Sequence, residues 1–88
     1  MITEFCAVKD GLAYCGSKGE IVHLVCDYIQ IDPDRTLRYR VPGFQEESRV
    51  KFGGGWSEIE MQIQSVLIIW ERLQSWFGFV VYERKIND

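Results

Sequence analysis

Long hydrophobic runs are missing from this sequence. The longest uninterrupted apolar stretch in its 88 residues is Val66-Leu67-Ile68-Ile69-Trp70. A membrane-spanning helix needs about 20 such residues, so no membrane partner is expected. Glu4, Lys9 and Asp10 break up the start of the chain, which reads against a secretory leader and for a cytoplasmic location. Basic charge is not in excess either. Ten Lys and Arg face 13 Asp and Glu, for a net charge of −3, whereas a nucleic-acid binder is ordinarily basic. Histidine occurs once, as His23 in an apolar segment, where it reads as a hydrogen-bonded core residue. No nucleophile stands beside a base, so no catalytic residues are expected and the chain reads as a non-enzyme.

Cysteine is sparse and odd in number: Cys6, Cys15 and Cys26. They stand far apart, without the C-x2-C knuckles of structural zinc sites. His23 and Cys26 have a familiar spacing, but in a strand they would point to opposite faces. No metal and no cofactor are expected, and free thiols in a reducing compartment are the preferred state. The Gly53-Gly54-Gly55 run lacks the lysine and the spacing of a phosphate loop, and Glu58 and Glu60 beyond it would repel an anion. It reads as a flexible connection.

What is present is a chain that folds. It is 47% hydrophobic, 14% aromatic and 26% charged, too apolar to stay disordered, and its length suits a single domain over residues 1–88. Asp10-Gly11 lies between Phe5-Cys6-Ala7-Val8 and Leu12-Ala13-Tyr14-Cys15, which predicts a hairpin over residues 3–16. A two-residue loop sets Cys6 opposite Cys15 in a non-hydrogen-bonded pair, with alpha carbons about 4.5 Å apart. A cross-strand disulfide fits that geometry, although a reducing compartment favours two thiols.

Residues 20–31 carry two patterns at once. Ile21, Val22, Val25, Ile29 and Ile31 are β-branched, as in a strand buried on both faces. Ile21, Leu24, Val25, Tyr28 and Ile29 also fall on a helical stripe, and Ser17 and Glu20 have capping-box spacing. The strand is preferred because the next segment supplies it with a partner. Asp32-Pro33-Asp34-Arg35 suits a type I turn, and beyond it Leu37, Tyr39 and Val41 alternate with Arg38 and Arg40. Pro42-Gly43 ends that strand, residues 45–48 form a polar loop, and residues 49–52 a short strand. Ser57 and Glu60 then open a helix predicted over residues 57–77. Its core stripe is read as Ile59, Ile63, Val66, Leu67, Trp70, Leu73 and Phe77, with Gly78 as the C-cap. Residues 79–85 read as a last strand. The predicted architecture is α+β: a mostly antiparallel sheet of five or six strands with one long amphipathic helix across one face.

Two features bear on function. Residues 31–55 net +1 while residues 1–30 and 56–88 each net −2. Arg35, Arg38, Arg40, Arg49 and Lys51 are interleaved with Tyr39, Phe44 and Phe52, so a single strand of nucleic acid could stack there; the negative net charge disfavours it. The second feature lies opposite the core stripe, where Met61 and Ile68 stand in place of polar residues, with Ile69, Arg72 and Trp76 beside them. That surplus suggests a second contact, with a copy of the chain or a foreign partner.

In size and order of elements the chain resembles the small immunity proteins of bacterial toxin systems, including those of contact-dependent inhibition. The resemblance rests on β-hairpins followed by Arg49-Val50-Lys51-Phe52-Gly53-Gly54-Gly55-Trp56-Ser57-Glu58 leading into a long amphipathic helix. It implies a non-enzymatic inhibitor that binds and blocks one cognate toxin, and it carries over no residue by position. Phage-encoded inhibitors of host defence share the same size, acidity and design. The expected partner-binding residues are the acids Asp27, Asp32, Asp34, Glu46 and Glu47, which would speed association, with Tyr28, Phe44 and Trp56 as anchors. Met61, Ile68, Arg72 and Trp76 are the expected second interface.

Overall fold

The computed structural model describes residues 2–76 and 79–87. Strand β1 (Ile2–Lys9) turns into β2 (Leu12–Gly16) through Asp10 and Gly11, whose φ angles are 52° and 78°. Two left-handed residues make the type I′ turn that matches the twist of paired strands. The predicted register holds, with Cys6 facing Cys15 and Ala7 facing Tyr14. The two cysteines are joined in a disulfide, which corrects the expectation of free thiols. The register that the turn imposes already brings their alpha carbons within 4.1 Å.

Ser17 ends the hairpin and caps a helix where a strand was preferred. Helix α1 (Lys18–Val25) starts on the capping box. The Glu20 amide donates to Ser17 Oγ at 3.1 Å, and the Ser17 amide donates to Glu20 Oε1 at 3.3 Å. The two bonds satisfy donors that a helix start otherwise leaves open. Ile21, Val22 and Val25 turn inward while His23 and Leu24 are exposed, so packing of one helical face outweighs the β preference of branched side chains. The same exposure moves His23 out of the core position expected of it.

Strands β3 (Tyr28–Ile31), β4 (Thr36–Arg40) and β5 (Ser48–Lys51) follow as an antiparallel meander. The predicted turn is present: the Arg35 amide donates to the Asp32 carbonyl at 2.9 Å, and Arg35 takes a left-handed φ of 68°. Helix α2 (Glu58–Ser75) opens on the second predicted capping box, between Ser57 and Glu60. Strand β6 (Val80–Ile86) returns to the free edge of β1. The architecture is α+β, and every strand pairing among the described residues is antiparallel. Among the described residues, six strands form two three-stranded sheets, β2-β1-β6 and β3-β4-β5, rather than one. Because residues 18–25 are helical, the segment that would have joined the two hairpins into one sheet is missing.

The core gathers Ala7 from the first sheet, Ile21, Val22 and Val25 from α1, Leu37, Tyr39, Val41 and Phe52 from β4 and the segments flanking the second sheet, and Met61, Ile69, Trp70 and Leu73 from α2. That last group requires a correction. Met61, expected on the outer face, is only 5% exposed, while Ile59, Ile63 and Leu67, expected in the core, are 70%, 54% and 39% exposed. Trp70 and Leu73 are buried as predicted. The helix carries apolar residues on two opposed sides, so its period does not choose between the two stripes. The buried one runs Met61-Ser65-Ile69-Leu73. Its polar member, Ser65, donates its hydroxyl to the Met61 carbonyl at 2.6 Å and so enters the core satisfied. The predicted contributions of Phe77 and Gly78 lie outside the described residues.

Candidate functional site

The outer face of the β3-β4-β5 sheet carries most of the acids expected to meet a partner. Alternation along β4 sends Arg38 and Arg40 outward, opposite Gln30 and Tyr28 on β3, with Arg49 and Lys51 arriving from β5. Each of these bases has an acid beside it. Arg38 holds Asp32 through two parallel bonds, Nε to Oδ2 at 2.7 Å and Nη2 to Oδ1 at 3.0 Å, and reaches Glu47 at 3.0 Å. Arg49 Nε meets Glu47 at 2.7 Å, Arg40 lies 3.2 Å from Asp27, and Lys51 lies 3.5 Å from Asp34. The Tyr28 hydroxyl donates to Glu47 at 2.7 Å.

The titration directions follow from these partners. The Arg38 hydrogen bonds hold the Asp32 carboxyl below its usual range. Glu47 is lowered first by the Tyr28 hydroxyl and then by Arg49, and the same bond raises Tyr28. Asp27, Asp32, Asp34 and Glu47 are thus spent inside a face of balanced charge, and a bidentate guanidinium gives that face a fixed geometry. Glu46, on the adjoining loop, is exposed, and no ion pair involves it among the described residues. Tyr39 and Phe52 are buried, so they are not available to stack on bases beside the arginines.

The aromatic candidates separate. Trp56 leans on Phe52, with ring centroids 5.9 Å apart. Phe44 packs on Trp76 at 5.7 Å, under the guanidinium of Arg72 at 5.4 Å. Trp76 continues to Phe79 at 4.8 Å and carries Lys9 over its ring at 4.1 Å. Of the residues expected to form a second interface, Met61 belongs to the core, Ile68 and Trp76 pack against it half-buried, and Arg72 alone is exposed. Ile68, Arg72 and Trp76 follow one another at four-residue spacing on one side of α2, while the orientation of the helix turns Met61 inward.

The opposite side of α2 is left uncovered. Ile59, Ile63 and Leu67 follow one another at four-residue spacing, which stacks them on one face. Glu60 and Glu71 neighbour Ile63 and Leu67 at three- and four-residue spacing, and both are exposed. Beside this stripe runs a groove of about 640 Å³ between α1, β3 and α2. Ile29, Ile31, Ile63 and Val66 give it apolar walls, and His23, Gln62 and Ser65 its polar positions. Ile63 belongs to both stripe and groove, so the two make one continuous surface. Sequence reading named Ile59, Ile63 and Leu67 but assigned them to the core, and it read residues 20–31 as one strand, which hides a groove between α1 and β3.

No family model, no curated protein and no solved structure matches the chain significantly. Among the described residues, no helix is long and apolar enough to cross a membrane. The arrangement offers a surface that takes apolar side chains, bordered by carboxylates. Its one imidazole, His23, stands at the groove wall.

Proposed function

We propose that this chain is a non-enzymatic inhibitor that binds one partner protein through the exposed face of α2 and the adjoining groove, in the manner of the small immunity proteins of bacterial toxin systems. One observation carries the proposal. A helix that buries Met61, Ile69, Trp70 and Leu73 leaves three more aliphatic side chains in water on a single stripe. A contiguous apolar stripe with a polar rim is the usual mark of a protein contact. Covering Ile59, Ile63 and Leu67 is worth about 3 kcal/mol, less than a stable complex needs after the cost of association. The groove and the rim carboxylates therefore share the contact. With Glu58, Glu60 and Glu71 exposed around the stripe, the fitting partner surface is apolar at its centre and basic at its edge.

The test is affinity capture from the native host, with tagged wild-type chain and the Ile59→Glu/Ile63→Glu variant, each with and without nuclease. The expected result is one stoichiometric protein that survives nuclease treatment with the wild type, loses its activity on binding, and is missing with the variant, whose circular dichroism is unchanged. Recovery of the same protein with the variant would rule out this face. Loss of all partners on nuclease treatment would rule out a protein target, and a bound partner of undiminished activity would rule out inhibition.

A further inference from the structure

We propose that Cys6, Cys15 and Glu4 form a redox-gated site for a soft divalent cation such as zinc, closed while the disulfide stands and open once it is reduced. The three residues share the outward face of the β2-β1-β6 sheet. Glu4 precedes Cys6 by two residues, the strand period, and Cys15 is the cross-strand partner of Cys6. Their ligand atoms, a carboxylate oxygen and two sulfurs, all lie within 4.8 Å of one another. Cys26 and His23, the other candidate ligands in the sequence, are on or beside α1 and take no part in this cluster.

The site does not depend on the covalent bond for its assembly. The Asp10-Gly11 turn fixes one end of the hairpin, and β1 is held on its far edge by β6, from Ile2 facing Ile86 to Val8 facing Val80. Reduction leaves the two sulfurs facing each other across adjacent strands. A thiol reductant passes two electrons and two protons to the sulfurs and is itself oxidised to a disulfide. The cation then displaces one proton from each thiol, and attraction to the metal replaces the repulsion of two neighbouring thiolates. Two thiolates and one carboxylate leave the fourth tetrahedral position of zinc to water. Cys6 is fully covered, but Cys15 and Glu4 are half-open, which provides an entry path. Arg84, directly across from Glu4, is ion-paired with it and so competes with the metal for the carboxylate.

The experiment uses the full chain carrying Cys26→Ser, reduced with a dithiol, desalted without oxygen and titrated with cobalt(II). A thiolate-to-cobalt charge-transfer absorption that saturates at one equivalent and is bleached by zinc is the expected result, with no band from the oxidised protein. Glu4→Gln should weaken binding by about tenfold or more, and Arg84→Gln, which frees the carboxylate, should tighten it. Absence of the band at stoichiometric metal overturns the proposal, as does a band that persists in Cys6→Ser/Cys15→Ser. Loss of native circular dichroism on reduction overturns the preassembled hairpin, and unchanged affinity in Glu4→Gln overturns the part assigned to the carboxylate.

Discussion

The orientation of α2 can be tested with two alanines. Ile69 has no exposed surface and Ile59 is 70% exposed. Replacing a fully buried isoleucine by alanine removes three carbons at about 0.8 kcal/mol each, or about 2.4 kcal/mol. The void left behind raises the cost of Ile69→Ala to about 3–4 kcal/mol. At Ile59 less than a third of that burial exists, so the loss is about 0.7 kcal/mol, and the better helix propensity of alanine offsets about half of it. In a domain of this size each kcal/mol moves the thermal midpoint by about 4–8 °C. Ile69→Ala should then lower Tm by about 15–25 °C and Ile59→Ala by less than about 3 °C. Urea denaturation followed by circular dichroism gives the same comparison isothermally. If Ile69→Ala proves too unstable to measure, Ile69→Val, at about 1 kcal/mol, keeps the contrast readable. Equal losses at the two positions, or a larger one at Ile59, would mean that α2 presents its other face to the core, and the proposed binding stripe would disappear with it.

Two further outcomes follow from the titrating groups. Asp32 and Glu47 are both held below the usual carboxylate range, so the stability they confer is complete above their unfolded values, near pH 4, and is lost as pH falls through the lowered folded values. Glu47→Gln should flatten the acid limb of a urea-midpoint series between about pH 5 and about pH 2, and an unaltered slope would contradict the network. Burial, and then the charge of Asp27, pushes the Cys26 thiol up to about 11. Alkylation at pH 8 should therefore run on the order of a hundredfold slower in the folded protein than in urea, by mass spectrometry of the Cys26 peptide, and equal rates would refute the assignment.

Local chemistry was readable from the residues where one short pattern has one physical solution. Asp10-Gly11 admits little but a type I′ hairpin, and from that turn the facing of Cys6 and Cys15 follows by counting. Asp32-Pro33 and the Ser57-Glu60 box were equally plain. Residues 18–25 were harder, because branched side chains and a capping box pull in opposite directions and the outcome depends on what else packs there. The candidate site was hardest of all. With apolar residues on two opposed sides of α2, the choice of buried stripe is made by the shape of the rest of the core. Ser65 reads as surface until its bond to the Met61 carbonyl is seen. The acids at 27, 32, 34 and 47 read as free charge because the bases that neutralise them come from neighbouring strands.

Strand β6 lies against β1 along almost its whole length, and that seam has a consequence for how the molecule assembles. The β3-β4-β5 meander joins residues six to fifteen positions apart, whereas Ile2 meets Ile86 only by closing a loop of nearly the entire chain. Chain entropy makes the long closure the slower event. The meander and the β1-β2 hairpin should therefore set early, and the seam last, as a clasp. Until it shuts, the outer edge of β1 is an open row of amides and carbonyls that any extended strand can fill. The same adjacency brings the two ends of the described chain side by side. A rearranged sequence in which β6 runs directly into β1 and the break falls at the glycines of residues 53–55 would turn the clasp into a hairpin.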